Sequence, residues 1–163
     1  MTESIKSCYI KLTRGQIAII DQDDYKAISQ FKWQAHYDPS LGQYYAVDTR
    51  WHKEKKVYYT ARMHREIMNC PNGMEVDHIN GNKLDNRKCN LRICTRTQNM
   101  HNRKKYKNST NNYKGVFRHG EKWRASIMAN RKKHYLGVFE TEIEAYKAYQ
   151  VASKKYHGEF SSD

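Results

Sequence analysis

Short runs rich in aromatic and β-branched residues, cut by polar and glycine-bearing turns, dominate the first 63 positions of the chain. Tyr9-Ile10-Lys11-Leu12 and Gln16-Ile17-Ala18-Ile19-Ile20 predict a hairpin around Arg14-Gly15. The acids Asp21, Asp23 and Asp24 then predict capping of a short helix over 25–31. Residues 32–37, 44–50 and 56–63 predict three more strands, separated by turns at 38–42 and 52–55. The expected result is a small antiparallel sheet that supports the segment after it. Trp33, Tyr44, Trp51 and Tyr58 are expected to fill its core, as aromatics in strands usually do.

The pattern changes after Ala61. Residues 61–69 predict a short helix ended by Pro71-Asn72-Gly73. Residues 75–78 and 90–93 predict two strands, with Asn80-Gly81-Asn82 as a turn between them, and a helix comes next over 95–105 with Thr95 or Thr97 at its start. Residues 106–112 are polar, lack apolar periodicity and predict a linker. Beyond it, residues 114–117, 122–129 and 133–139 predict strands and 142–156 a helix. Its apolar stripe of Ile143, Tyr146, Ala148, Tyr149 and Ala152 suits lying on a sheet. The fold class is therefore α+β: a β-rich N-terminal segment (1–60), a ββα segment (61–105), the linker (106–112), and a three-stranded sheet packed on one helix (113–163).

Composition narrows the partners. The chain has 163 residues, 38% of them hydrophobic, and a mean hydropathy of −1.04, which favours small cores and extensive wet surface. No apolar run reaches the length of a membrane span and the N-terminus lacks a signal-peptide core, so a soluble, intracellular, cytoplasmic protein is expected, with no membrane partner. Lys and Arg number 30 against 17 Asp and Glu, a formal charge of +13 that suits a polyanion. The excess is uneven: residues 62–105 carry 10 basic and 4 acidic side chains, and residues 106–163 carry 11 and 6. The runs Arg103-Lys104-Lys105 and Arg131-Lys132-Lys133 flank candidate binding elements, although each alone reads as solvated surface. Cys8, Cys70, Cys89 and Cys94 form no CxxC pair; reduced thiols are expected rather than structural zinc.

Candidate chemistry concentrates between Glu75 and Arg103. Asp77-His78 is followed by Asn90 and Asn99 at 12 and 21 residues beyond the histidine. A carboxylate and an amide oxygen can hold a hard divalent cation, while an imidazole can deprotonate water. Singly these residues are weak signals. Together, the Asp-His pair, the Asn-Gly turn, Asn90-Leu91-Arg92 and the later asparagine resemble the HNH endonucleases, especially the phage and intron-encoded homing type. The resemblance covers about a quarter of the chain and implies that His78 is the general base and Asn90 braces the loop that orients it. It implies further that Asp77 and Asn99 are metal ligands, for Mg²⁺ with Mn²⁺ as the alternative, and that cleavage leaves a 3′ hydroxyl and a 5′ phosphate. His64-Arg65 resembles the pair that opens this type of nuclease domain, with a packing or phosphate-contact role. His101 and Asn102 are left without an assigned role.

The C-terminal pieces YKGVF, KWRASI, YLGVF, EAYKAY and HGEF resemble the Apetala-two type DNA-binding domain of plant ethylene-response factors. That resemblance implies a sheet lying in the major groove with a helix behind it. With Trp123, Ala125 and Ile127 toward the helix, strand alternation turns Arg124, Ser126 and Met128 outward. Lys133 and Tyr135 then point outward and His134 and Leu136 inward. Lys114, Arg118 and His119, in or beside the first strand, complete the candidate DNA contacts. The expected function is a metal-dependent endonuclease acting on double-stranded DNA as a monomer or dimer, from a phage or mobile element, with the C-terminal sheet choosing the site. The alternatives are a non-catalytic DNA-binding regulator that keeps the nuclease fold, and an RNA-binding accessory protein; for Trp33, Tyr44, Trp51 and Tyr58 the alternative to a core role is direct DNA contact.

Overall fold

A computed structural model describes residues 6–102 and 111–161; the run Arg103-Lys104-Lys105 and most of the expected linker lie outside the described residues. The chain divides into two compact units, Met1–Arg96 and Thr97–Asp163.

In the first unit, β1 (Ser7–Lys11) and β2 (Ile17–Asp21) pair antiparallel with Tyr9 opposite Ile19, as the turn signal at Arg14-Gly15 predicts. Arg14 and Gly15 both take positive φ, 58° and 65°, which the tight reversal requires. Helix α1 (Gln22–Ile28) starts three residues earlier than expected. Asp21 occupies its N-cap position without a side-chain cap, because its carboxylate Oδ2 instead accepts the Lys88 amide at 2.8 Å. Asp23 and Asp24 remain in the first turn, where they favour the helix dipole.

Next come β3 (Gln34–Asp38), β4 (Gln43–His52) and β5 (Val57–Arg62), forming one antiparallel sheet with β4 central. β3 pairs only with residues Gln43 to Val47 of β4, so the outer half of β4 is paired with β5 alone. Helix α2 (Met63–Ile67) leads to β6 (Glu75–His78) and its antiparallel partner β7 (Leu91–Cys94). One core joins these pieces: Ile10 and Ile20 from the first hairpin, Trp33 and Ala46 from the sheet region, Met63 from α2 and Leu91 from β7. The N-terminal segment and the Asp-His segment therefore share a single apolar interior. Trp33 is buried and donates its indole N–H to the Ile28 carbonyl at 2.8 Å, and Tyr44 packs on the same core. Trp51 and Tyr58 depart from expectation. They are 49% and 73% exposed, since they lie where β4 and β5 have outrun β3.

Helix α3 (Arg96–His101) falls within the span expected over 95–105 and gives way to a turn at Asn102; residues 103–105 lie outside the described residues. In the second unit β8 (Val116–His119), β9 (Lys122–Ala129) and β10 (Lys132–Phe139) form an antiparallel sheet in the order β10-β9-β8. Helix α4 (Glu142–His157) packs on it, opened by a capping box between Thr141 and Glu144. Ala125, Ile127, Ala145, Tyr149 and Ala152 form the buried seam. Gly115, at φ 74°, lies so close beneath Tyr149 that a Cβ there would fall 2.1 Å from the ring. No other residue fits.

Candidate active site

The Asp77-His78 pair is held by a loop whose polar groups satisfy one another. Asn90, 6% exposed, accepts the Asn80 amide through Oδ1 at 2.9 Å and donates Nδ2 to the Asp85 carbonyl at 2.8 Å. Asn80 in turn accepts the Asn82 amide, and Asn82 accepts the Leu84 amide. Gly81, at φ 79°, closes the turn by donating to the His78 carbonyl. Arg87 clasps Asp85 with two bonds of 2.7 Å and holds its carboxyl below the usual carboxylate range. The first hairpin clamps the loop from outside. Ile19 donates to the Leu84 carbonyl at 2.8 Å, Asn86 returns a bond to the Ile19 carbonyl at 2.7 Å, and Asp21 takes the Lys88 amide.

His78 is 1% exposed, with Nε2 3.1 Å from Asn86 Oδ1. The Asn86 amide nitrogen faces the Leu84 carbonyl at 3.3 Å, which fixes the amide orientation and leaves an oxygen toward the histidine. An amide oxygen only accepts, so Nε2 carries the proton and the basic lone pair falls to Nδ1. Burial, then the positive charge of Lys83, pushes the His78 pKa down to about 4, against the opposing bond to Asn86. The imidazole is therefore neutral at physiological pH.

Two groups from outside the Asp77–Asn99 stretch lie beside His78, and the first, His64, belongs to the His64-Arg65 pair expected to pack or contact phosphate. His64 of α2, 4% exposed, sets its ring 5.0 Å from that of His78 at 75°, and its Nδ1 is buried without a hydrogen-bond partner. Burial first, and the neighbouring His78 second, hold the His64 pKa well below the usual histidine value. Tyr45 of β4 lies 5.7 Å from His64 and 6.4 Å from His78, ring to ring. Its place here has no local sequence signal. Asn86 had one, standing in the polar Asp-Asn-Arg step that comes after Leu84 inside the motif.

Asp77, 1% exposed, faces Arg92 across the β6–β7 pair, with Oδ2 accepting Nη2 at 2.7 Å and Nε at 3.0 Å. Among the described residues no set of three or more His, Cys, Asp and Glu side chains converges to hold a metal. A carboxylate plus an amide oxygen is nevertheless a fitting donor set for Mg²⁺, which takes one or two carboxylates and keeps several waters. Asn99 is half-buried on α3 in the second unit. Of the cysteines, Cys94 is buried, which pushes its thiol up to about 11, while Cys89 is exposed.

In the second unit the expected DNA contacts fall into two groups. Lys133 and Tyr135 are exposed on the sheet, Lys133 with its ammonium 5.7 Å from the Phe117 ring, and His119 is exposed at the end of β8. Arg124 is half-buried on the same strand face. The rest are engaged within the unit. Lys114 donates to the His101 carbonyl and burial pulls its pKa down to about 8; Arg118 donates to the Gly120 carbonyl and stacks 4.9 Å from the Trp123 ring. Ser126 is 5% exposed, opposite Tyr135 where β10 bulges. His134 stacks on Tyr156 and Leu136 enters the core, as alternation predicts.

Comparison with known proteins places this geometry. A profile described as HNH endonuclease matches residues 69–101. Over 150 residues the chain is 30% identical to an HNH endonuclease of Acanthamoeba polyphaga mimivirus, covering 91% of this chain and 75% of that protein. It is 28% identical over 114 residues to Protein 3.8 of Escherichia phage T7, covering 66% and 93% respectively. A 50-residue stretch is 46% identical to an AP2-like ethylene-responsive transcription factor of Arabidopsis thaliana, covering 28% of this chain and 9% of that protein. No solved structure matches the chain. With a buried Asp-His pair on a loop locked by asparagines, and a viral relative aligned along most of both lengths, the chain belongs to the HNH endonuclease family.

Proposed function

We propose that the protein is a metal-dependent DNA endonuclease in which His78 removes the proton from the attacking water. The observation that carries this reading is the buried His78 beside Asp77, on a loop locked by Asn90 and with Nε2 3.1 Å from Asn86 Oδ1. The contact with Asn86 orients the imidazole for proton abstraction from water. Asn90 keeps the loop, and through it the imidazole, in one arrangement. Asp77 would hold the cation, Mg²⁺ or Mn²⁺, which when bound supplies charge stabilisation at the phosphate and the leaving oxygen, and the resemblance to the HNH endonucleases implies Asn99 as a second ligand. Arg92, with two N–H donors on Asp77 Oδ2, aligns that carboxylate. One such centre per chain makes a monomer a nicking enzyme and a dimer a double-strand cutter.

The second unit would select the site, through Arg124, Lys133, Tyr135 and His119 on and beside its sheet. Its likeness to part of an AP2-like factor supports that role. Lys114, Arg118 and Ser126, engaged or buried within the unit, would enter contact only after releasing their present partners or covering. The viral relatives support a phage or mobile-element setting. Supercoiled plasmid incubated with the protein and Mg²⁺ should convert to open circle, and His78→Ala should abolish the conversion with DNA affinity nearly intact. Cutting in excess chelator, or full activity in His78→Ala, overturns the assignment.

A further inference from the structure

One face of the outer half of the β4–β5 hairpin packs on the first unit, and the other carries exposed aromatics. Beyond Val47, β4 pairs only with β5, giving a two-stranded ribbon from Asp48 and Ala61 out to His52 and Val57. Isolated ribbons of this kind are marginal in water and rarely carry large exposed aromatics without a partner. One face is anchored: Arg50 pairs with Asp48 and Glu66 at 2.9 Å each and lies 3.6 Å over the Phe31 ring. Trp51 and Tyr58, directly opposed across the ribbon, alternate onto the other face with their rings 4.9 Å apart, and remain 49% and 73% exposed. The tip, Lys53-Glu54-Lys55-Lys56, is wholly exposed, and none of its lysines is in an ion pair among the described residues.

We propose that this ribbon is a second DNA-contacting element, which enters a groove of the duplex being cut. It rests on the DNA-endonuclease reading and adds a contact surface to it. A two-stranded ribbon fits the major groove, three lysines at its tip meet phosphates, and the Trp51–Tyr58 pair supplies an apolar face for sugars and base edges. The ribbon is built on the catalytic centre. β4 carries Tyr45 beside His64 and His78 at one end and Trp51 six residues further on, a reach of about 20 Å at strand rise. That span is about six base pairs along the duplex, so one DNA molecule can meet both the histidines and the ribbon.

The test uses the full-length chain carrying His78→Ala, so that DNA is bound without being cut, and measures anisotropy of a labelled random-sequence duplex against salt. Replacing Lys53, Lys55 and Lys56 by Gln should reduce the slope of log K against log salt by up to about 2.7, at about 0.9 for each phosphate no longer neutralised. Replacing Trp51 and Tyr58 by Ser should weaken binding about tenfold through lost apolar burial, with little change in slope because no charge is removed. All these side chains are exposed, and matching urea midpoints confirm that the variants fold. An unchanged slope with unchanged affinity in both variants overturns the proposal. Plasmid nicking by the His78-intact protein is scored separately: nicking with no ribbon effect defeats the ribbon inference alone, and absence of nicking defeats the endonuclease reading.

Discussion

Arg92→Leu exposes the energetic logic of the site. Asp77 is 1% exposed, the Arg92 side chain 13%, and two N–H donors of the guanidinium reach one carboxylate oxygen at 2.7 and 3.0 Å. Taking away one partner of a buried ion pair leaves a charge in a medium that solvates it poorly, at a cost of about 3–5 kcal/mol. A pair on the surface would lose only about 0–1 kcal/mol. The two cases are separable in urea unfolding at pH 7, where the first lowers the folding constant by a factor of about 10² to 10⁴. For a chain of this size the same loss lowers Tm by about 6–20 °C. A divalent cation supplies the missing positive charge if Asp77 is its ligand. Mg²⁺ should then stabilise Arg92→Leu more than wild type, approaching about 2.7 kcal/mol at a hundredfold excess over Kd. Asp77→Asn combined with Arg92→Leu should recover most of the loss without cation, since no charge remains to be solvated. A loss below about 1 kcal/mol refutes the buried-pair reasoning, and equal Mg²⁺ stabilisation of the Asp77→Asn variants refutes Asp77 as ligand.

Local signals carried the site further than they carried its surroundings. His78, Asn80, Gly81 and Asn90 belong to one short stretch and their hydrogen bonds close within it, which makes the motif that carries the resemblance compact in sequence. The hairpin at Arg14-Gly15 and the capping box at Thr141 are legible for the same reason. His64 and Tyr45 reach His78 through tertiary packing across 14 and 33 residues of chain, which no periodicity encodes. Trp33 and Trp51 show the limit most clearly. Both fall in runs that read as strands, yet one is 4% and the other 49% exposed. Trp33 precedes β3 and packs into the core with its indole N–H on the Ile28 carbonyl, while Trp51 lies on the part of β4 that β3 does not reach. Ser126 fails differently: alternation places it on the outer face of β9, but the β10 bulge and Tyr135 opposite it leave it 5% exposed.

Three more outcomes rest on the same geometry. Asn86→Ala leaves the His78 Nε2–H buried without its acceptor, at a cost of about 1–3 kcal/mol in orientation, so plasmid nicking should fall about 10- to 100-fold while duplex affinity holds; an unchanged rate removes Asn86 from the site. His64 and His78 both have depressed folded-state pKa values, so the unfolded chain binds more protons below its histidine pKa of about 6.5 and stability falls as pH falls. Between pH 7 and pH 5.5 this should appear in urea unfolding as a loss on the order of 1 kcal/mol from His78, with a further loss from His64 that His64→Leu removes; a His64→Leu profile parallel to wild type refutes the burial of neutral His64. The last concerns the clamp. Asp21 Oδ2 accepts the Lys88 amide at 2.8 Å and thereby ties the first hairpin to the loop that holds Asn86 and Asn90, across 67 residues of chain. Asp21→Ala removes the acceptor and should cost about 1–3 kcal/mol, whereas Asp21→Asn retains an amide oxygen for the same bond. Hydrogen exchange at Lys88 should accelerate in the first variant and stay near wild type in the second, with nicking activity in the same order. Equal Lys88 protection in all three proteins would mean that the loop holds itself, through Asn90 and Asp85, and that the hairpin supports the site by packing alone.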